Sequence, residues 1–124
     1  MAVVLNREKN KVLLLQRDEE PGKGLWAFPG GHVERGHDLF ETIKNEVKEE
    51  TGLSVEVHEI ISTFSSPEDG LIQLIYEAIA DNEEVIVNIE SKKGCFFYFD
   101  DIPWNKLAFP STEKLLRLYT DKNK

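Results

Sequence analysis

Residues 30–53 read GGHVERGHDLFETIKNEVKEETGL, and no other stretch constrains the chain as much. Asp38 is a good N-cap, Glu41 three residues on gives the capping-box spacing, and Gly52 supplies a stop, so a helix is predicted between them. On a wheel turning ~100° per residue, Leu39, Phe40, Ile43 and Val47 form one apolar arc. Glu50 falls on that arc between Leu39 and Ile43, Glu46 lies beside it, and Glu49 is one step further round. A solvated charge run should lie opposite the apolar stripe. Like charges four residues apart on a helix also cost ~0.2–0.5 kcal/mol. Acids crowding the core margin are therefore better explained by a cation than by solubility.

Carboxylate oxygens suit the hard cations Mg²⁺ and Mn²⁺, and Mg²⁺ commonly takes few protein carboxylates together with phosphate oxygens of its substrate. No Cys or His cluster competes for a zinc assignment. The Gly30-Gly31 turn just ahead of the helix lets backbone approach an ion or a phosphate chain closely. A cation held there would neutralise phosphate charge and lower the pKa of a bound water, so the segment points to hydrolysis of a phosphoanhydride.

The rest of the chain narrows the class. Its 124 residues suit one domain, read as 1–124, and are enough to bury a core without staples. Apolar residues make up 40% and charged residues 31%, which predicts a soluble globular protein. No apolar run approaches the ~18 residues that cross a membrane, so no membrane partner is expected. The N-terminus has no signal-like pattern, and the single Cys95 excludes an internal disulfide framework, so the expected location is cytoplasmic. A net charge of −8 repels nucleic-acid backbones and argues against nucleic acid as a partner. It does not exclude a small anionic substrate, because carboxylates loaded with Mg²⁺ are locally cationic.

Ala2 to Leu5 and Val12 to Leu15 are apolar runs joined by a polar turn, which predicts a hairpin whose strands are buried on both faces. Asp18 to Gly31 holds two prolines and four glycines and reads as a loop. Ser54 to Phe64 is expected to be a strand with Val55, Val57 and Ile61 on one face, followed by a turn and a second strand, Leu71 to Ala80. Val85 to Ile89 and Cys95 to Phe99 are expected to be shorter strands. Pro110-Ser111 opens a last helix whose apolar face is Leu115, Leu116, Leu118 and Tyr119. The order predicts an α/β sandwich, a mixed sheet with helices packed on it.

The acidic segment resembles the Nudix (MutT-like) hydrolase family, whose box is G-x5-E-x7-R-E-U-x-E-E-x-G-U with U aliphatic. Gly31, Glu46, Val47, Glu49, Glu50, Gly52 and Leu53 match it, and the flanking Leu25 to Gly31, LWAFPGG, is also typical. The stretch Asn88 to Pro103 looks like the segment after the box in small Nudix enzymes acting on nucleotides, and LAFPS, Leu107 to Ser111, like their approach to the last helix. The resemblance implies an α/β/α sandwich and an Mg²⁺- or Mn²⁺-dependent pyrophosphohydrolase. Its substrate would be a nucleoside diphosphate linked to another moiety. Glu46, Glu49 and Glu50 would be catalytic and would hold the metal with the carbonyl of Gly30 and an acid from a later loop, best matched by Glu90. Glu49 or Glu50 would serve as general base. Arg17, closing LLLQR, matches a frequent phosphate-contacting arginine. The chain begins at the first strand, so an edge strand common in the family is expected to be short or absent. A monomer or homodimer is expected.

Two positions depart from the box: its first Glu is His37 here and its Arg is Asn45. In the family these two are commonly paired and orient the catalytic glutamates, so the departure bears on rate rather than on metal binding. Trp26 and Phe28, flanking the Gly-Gly turn, are candidates to stack on a nucleobase. A nucleoside triphosphate, an oxidised one included, is the first substrate expectation. ADP-ribose or a nucleotide sugar is the second, with Pro67, fifteen residues after Gly52, as a weak pointer to it. The rival from another class is a non-catalytic nucleotide-binding module.

Overall fold

The computed structural model describes residues 1–30, 36, 38–66, 68 and 70–122, with the backbone alone at 66, 71 and 122. His37 and Pro67 lie outside the described residues. Strands β1 (Ala2–Leu5) and β2 (Lys11–Arg17) form the expected antiparallel hairpin. Its turn is held by the Asn6 side-chain oxygen, which accepts from the backbone N–H of Asn10 at 3.0 Å and of Lys11 at 2.9 Å. Then come β3 (Trp26–Ala27), helix α1 (Leu39–Thr51), β4 (Val55–Ser66), β5 (Leu71–Ala80), β6 (Ser91–Tyr98), two short 3₁₀ turns and helix α2 (Pro110–Lys122).

The sheet is mixed, in the order β3-β2-β1-β5-β4, with β1 parallel to β5 and the other pairs antiparallel. Strand β6 pairs along the length of β2, whose other edge is shared by β1 at one end and β3 at the other. Side chains of β1 and β2 alternate between two cores, as the pleat requires. Val3, Leu5, Val12 and Leu14 join Leu115, Leu116 and Tyr119 of α2 on one face, while Ala2, Val4, Leu13 and Leu15 join Ile43 and Val47 of α1 on the other. This is the α/β/α sandwich expected, with the central hairpin buried on both faces.

Four local expectations are corrected. Ile61 does not share a face with Val55 and Val57: those two pack on the α1 side, and Ile61 on the α2 side. The register shifts between Val57 and Ile60 and again between Ile60 and Ser62, and such irregularities break the period-two rule. Val85 to Ile89 is not a strand. Val85 and Val87 instead lie over the face of β6, where a Cβ on Gly94 would come within 2.8 Å of Val85 and 3.2 Å of Val87, so this segment covers the sheet face rather than extending the sheet at its edge. Leu118 is 51% exposed and belongs to the outer face of α2. The loop from Asp18 to Gly31 contains β3, two residues long, hydrogen-bonded to the end of β2.

Candidate active site

Helix α1 begins and ends where its sequence dictates. The Asp38 carboxylate accepts from the Glu41 backbone N–H at 2.7 Å, and Gly52 takes a left-handed conformation, φ 75°, while its N–H donates to the Lys48 carbonyl at 2.9 Å. Ile43 and Val47 are buried, which turns the last acid of the helix inward. Glu50 Oε2 accepts from the backbone N–H of Gly30 at 3.1 Å, tying the helix end to the Gly-Gly segment twenty residues away. The fit is tight: a Cβ on Gly30 would stand 3.0 Å from the Met1 Cα, so a side chain here would require Met1, just ahead of β1, to shift.

Glu50 stands at the junction of two cavities. The larger, about 440 Å³, falls in the usual range for small-molecule sites, roughly 300–1,000 Å³. Its lining includes Arg17, Phe28 and Gly30, then Leu39, Thr42 and Ile43 of α1, Ile72, Gln73, Leu74 and Tyr76 of β5, and Phe109 ahead of α2. The smaller, about 70 Å³, shares Arg17, Ala27, Phe28 and Glu50 with it and adds Glu19 and Glu90. Burial pushes the Glu50 carboxyl up to about 8; the Gly30 N–H opposes that rise, and the charges of Glu46 and Glu90 add to it.

The structure thus brings together Arg17, Phe28, Gly30, Glu50 and Glu90. Glu46 is half-buried one turn before Glu50 and close enough to repel it. Glu49 is exposed and lines neither cavity. Trp26 lines neither as well: it is 6% exposed and lies in the α2-side core, its ring edge-on to Phe97 at 5.0 Å between centroids. Arg17 donates from Nε to the Pro21 carbonyl at 2.7 Å, and its guanidinium lies 5.3 Å from the Phe109 ring. Asn45 is exposed. Sequence reasoning missed Gln73 and Phe109 as lining residues. A polar residue interrupting the apolar run LIQLIY was the available signal for the first.

Among the described residues, no three acidic, His or Cys side chains converge closely enough to hold a metal by themselves. The donor chemistry nonetheless suits a hard cation. The available side chains, Glu46, Glu50 and Glu90, offer oxygen only, and Mg²⁺ ordinarily completes its shell with waters and substrate oxygens. A divalent charge beside Glu50 would also offset the burial and repulsion that now keep its proton on.

A NUDIX domain model matches residues 1–119. The chain belongs to the Nudix family. It is 35% identical over 114 residues to an ADP-ribose pyrophosphatase of Methanocaldococcus jannaschii, covering 89% of this chain and 66% of that protein. It is 39% identical over 62 residues to the human 8-oxo-dGDP phosphatase NUDT18, covering 50% of this chain and 19% of that protein. Among solved structures, a NUDIX hydrolase from Nitrosomonas europaea superposes with a TM-score of 0.88 at 28% identity, covering 98% of this chain and 71% of that one. The chain therefore spans less than two thirds of the length of the curated relatives it matches. No helix among the described residues is long and apolar enough to cross a membrane.

Proposed function

We propose that the protein is a divalent-metal-dependent pyrophosphohydrolase that cleaves a nucleoside diphosphate linked to another moiety, with residues 1–124 acting as one catalytic unit. The observation that carries this reading is Glu50, drawn beside the Gly30 backbone into a 440 Å³ cavity that Arg17 also lines. In this reading Glu46, Glu49 and Glu50, the Gly30 carbonyl and Glu90 hold Mg²⁺ or Mn²⁺. When bound, the cation supplies charge neutralisation and a more acidic water. Arg17 binds a phosphate, and Phe28 offers its ring to the organic part of the substrate. Of the two carboxylates put forward as general base, Glu50 is favoured, because it lines the cavity and Glu49 does not.

The archaeal relative, aligned over 89% of the chain, is named for ADP-ribose, which supports that substrate first and reverses the order read from the sequence. A nucleoside di- or triphosphate, oxidised bases included, is the second reading. The resemblance of Asn88 to Pro103 and the name of the human relative support it.

The test is phosphate or nucleotide release from ADP-ribose, nucleoside triphosphates and dinucleotides, with Mg²⁺ or with chelator. Turnover of ADP-ribose that disappears with chelator is the expected result. Tight binding without turnover on every substrate would replace the enzyme by a nucleotide-binding module.

A further inference from the structure

Arg17 closes β2 and lines both cavities around Glu50, and its side chain is held by uncharged groups alone. Its Nε–H donates to the Pro21 carbonyl at 2.7 Å, and its guanidinium carbon lies over the Phe109 ring, 5.3 Å from the ring centre. Among the described residues no carboxylate pairs with Arg17, and the N–H groups of its two terminal nitrogens have no acceptor. The Arg17 backbone N–H donates to the Leu25 carbonyl and the Arg17 carbonyl accepts from Gly24, both at 2.8 Å, so the loop that brings Pro21 is closed onto Arg17 itself. Ala108, next to Phe109, donates to the Trp26 carbonyl at 2.8 Å. The two supports meet at Gly22, where an added Cβ would stand 3.1 Å from the Ala108 Cβ and 3.5 Å from the Arg17 Cδ.

We infer that Phe109 is a positioning residue: together with the Pro21 carbonyl, its ring holds the Arg17 guanidinium ready for a phosphate of the substrate. The inference rests on the pyrophosphohydrolase reading above, in which Arg17 binds phosphate, and adds the residue through which that arginine works. A free arginine side chain samples many rotamers, and ordering it when the ligand arrives costs affinity. A carboxylate partner would order it beforehand but would also offset the charge that attracts phosphate. An aromatic face attracts a guanidinium within about 6 Å of the ring centre and brings no net charge of its own. A carbonyl oxygen takes one N–H and leaves the rest of the planar fork for a two-bond contact with phosphate oxygens. One face of the Phe109 ring is covered by Arg17, so what Phe109 contributes to binding passes through Arg17 rather than through stacking on the ligand.

The test is a double-mutant cycle on the binding of ADP, measured by titration calorimetry with Mg²⁺ present. F109L keeps the apolar bulk and removes the ring, and should weaken ADP about fivefold. F109Y keeps the ring and should stay within about twofold of the native protein. R17A should weaken ADP on the order of thirtyfold, the scale of a lost hydrogen-bonded charge. In the R17A background F109L should add less than about twofold, because no guanidinium remains to position. Should F109L fail to fold by circular dichroism, F109M takes its place in the cycle. Additive losses would make Phe109 a direct ligand contact and overturn the inference. So would native-like binding by F109L, equal losses in F109L and F109Y, an R17A variant that binds as well as the native protein, or no binding of ADP at all. The hydrolase reading fails separately. A coupled cycle in a protein that cleaves nothing keeps this role for Phe109, whereas cleavage of ADP-ribose with additive losses removes the role and keeps the enzyme.

Discussion

The two helices have the same length, thirteen residues, and each covers one face of the sheet, but they treat charge in opposite ways. Helix α2 buries Leu115, Leu116 and Tyr119 and keeps its ion pair, Arg117 to Glu113 at 3.0 Å, on the outside. Helix α1 buries Ile43 and Val47 but turns Glu50 into the same margin and leaves Phe40 47% exposed. Each helix leaves a large apolar side chain on its outer face, Phe40 on α1 and Leu118 on α2, so the difference lies in one carboxylate: Glu50 of α1 stands in the larger cavity, and no acid of α2 lines either cavity. A local departure from good folding practice is expected where a site needs a poised group.

The comparison is broken most directly at Glu50. Glu50→Gln should lower kcat about 10²–10⁴-fold, the usual scale for a lost general base, with the fold intact by circular dichroism. Little change in kcat would remove Glu50 from catalysis.

On α2 the expected effect is on stability instead. Leu116→Ala should cost ~2–5 kcal/mol in urea unfolding, because the side chain is fully buried against the sheet. A loss below 1 kcal/mol would mean that this face repacks freely.

The third prediction concerns pH. Glu50 binds its proton more strongly when folded, up to about 8, than in an unfolded chain near 4.5, so the folded state holds more protons between those values. In chelator, the contribution of Glu50 to stability should be fully present below pH 4.5 and be lost as pH rises toward 8, by on the order of a few kcal/mol. Thermal melts of the native protein and of Glu50→Gln across this range check it. The variant should show a flatter profile and, near pH 8, should be the more stable of the two. Parallel profiles would contradict a buried Glu50.

The box departures predict a smaller effect. Restoring the usual pair with H37E/N45R should raise turnover, and no gain in the double variant would sink the idea that these positions weaken catalysis. Smallest of all, Glu113→Ala should cost only about 0.3–0.5 kcal/mol, as for other exposed pairs four residues apart on a helix.

Much of this was legible in the sequence because it is local. The Asp38 and Gly52 caps, the apolar arc of α1 and the intrusion of Glu50 on that arc follow from a 3.6-residue period that needs no partner to express itself. The hairpin of β1 and β2 was equally clear, since continuous apolar runs flanking a polar turn have few other solutions. The face of Ile61 was not legible, because two register shifts in β4 depend on how that strand meets β5. Nor was the fate of Val85 to Ile89, whose β-branched residues suit a strand but whose Val85 and Val87 pack over the face of β6 at Gly94, a contact set by the tertiary fold. Trp26 was a candidate for stacking from its place beside the Gly-Gly turn, and the core claimed it through Phe97.

By itself, the sequence determined the carboxylate set, its helix and the family to which the chain belongs. Only the tertiary structure decided which carboxylate enters the cavity with the glycine backbone, and which other side chains meet it there. Helical periodicity orders neighbours along one segment. Bringing Arg17, Gly30, Glu50, Gln73 and Phe109 around one cavity requires β2, α1, β5 and the start of α2 to pack on a common sheet, and no local pattern encodes that.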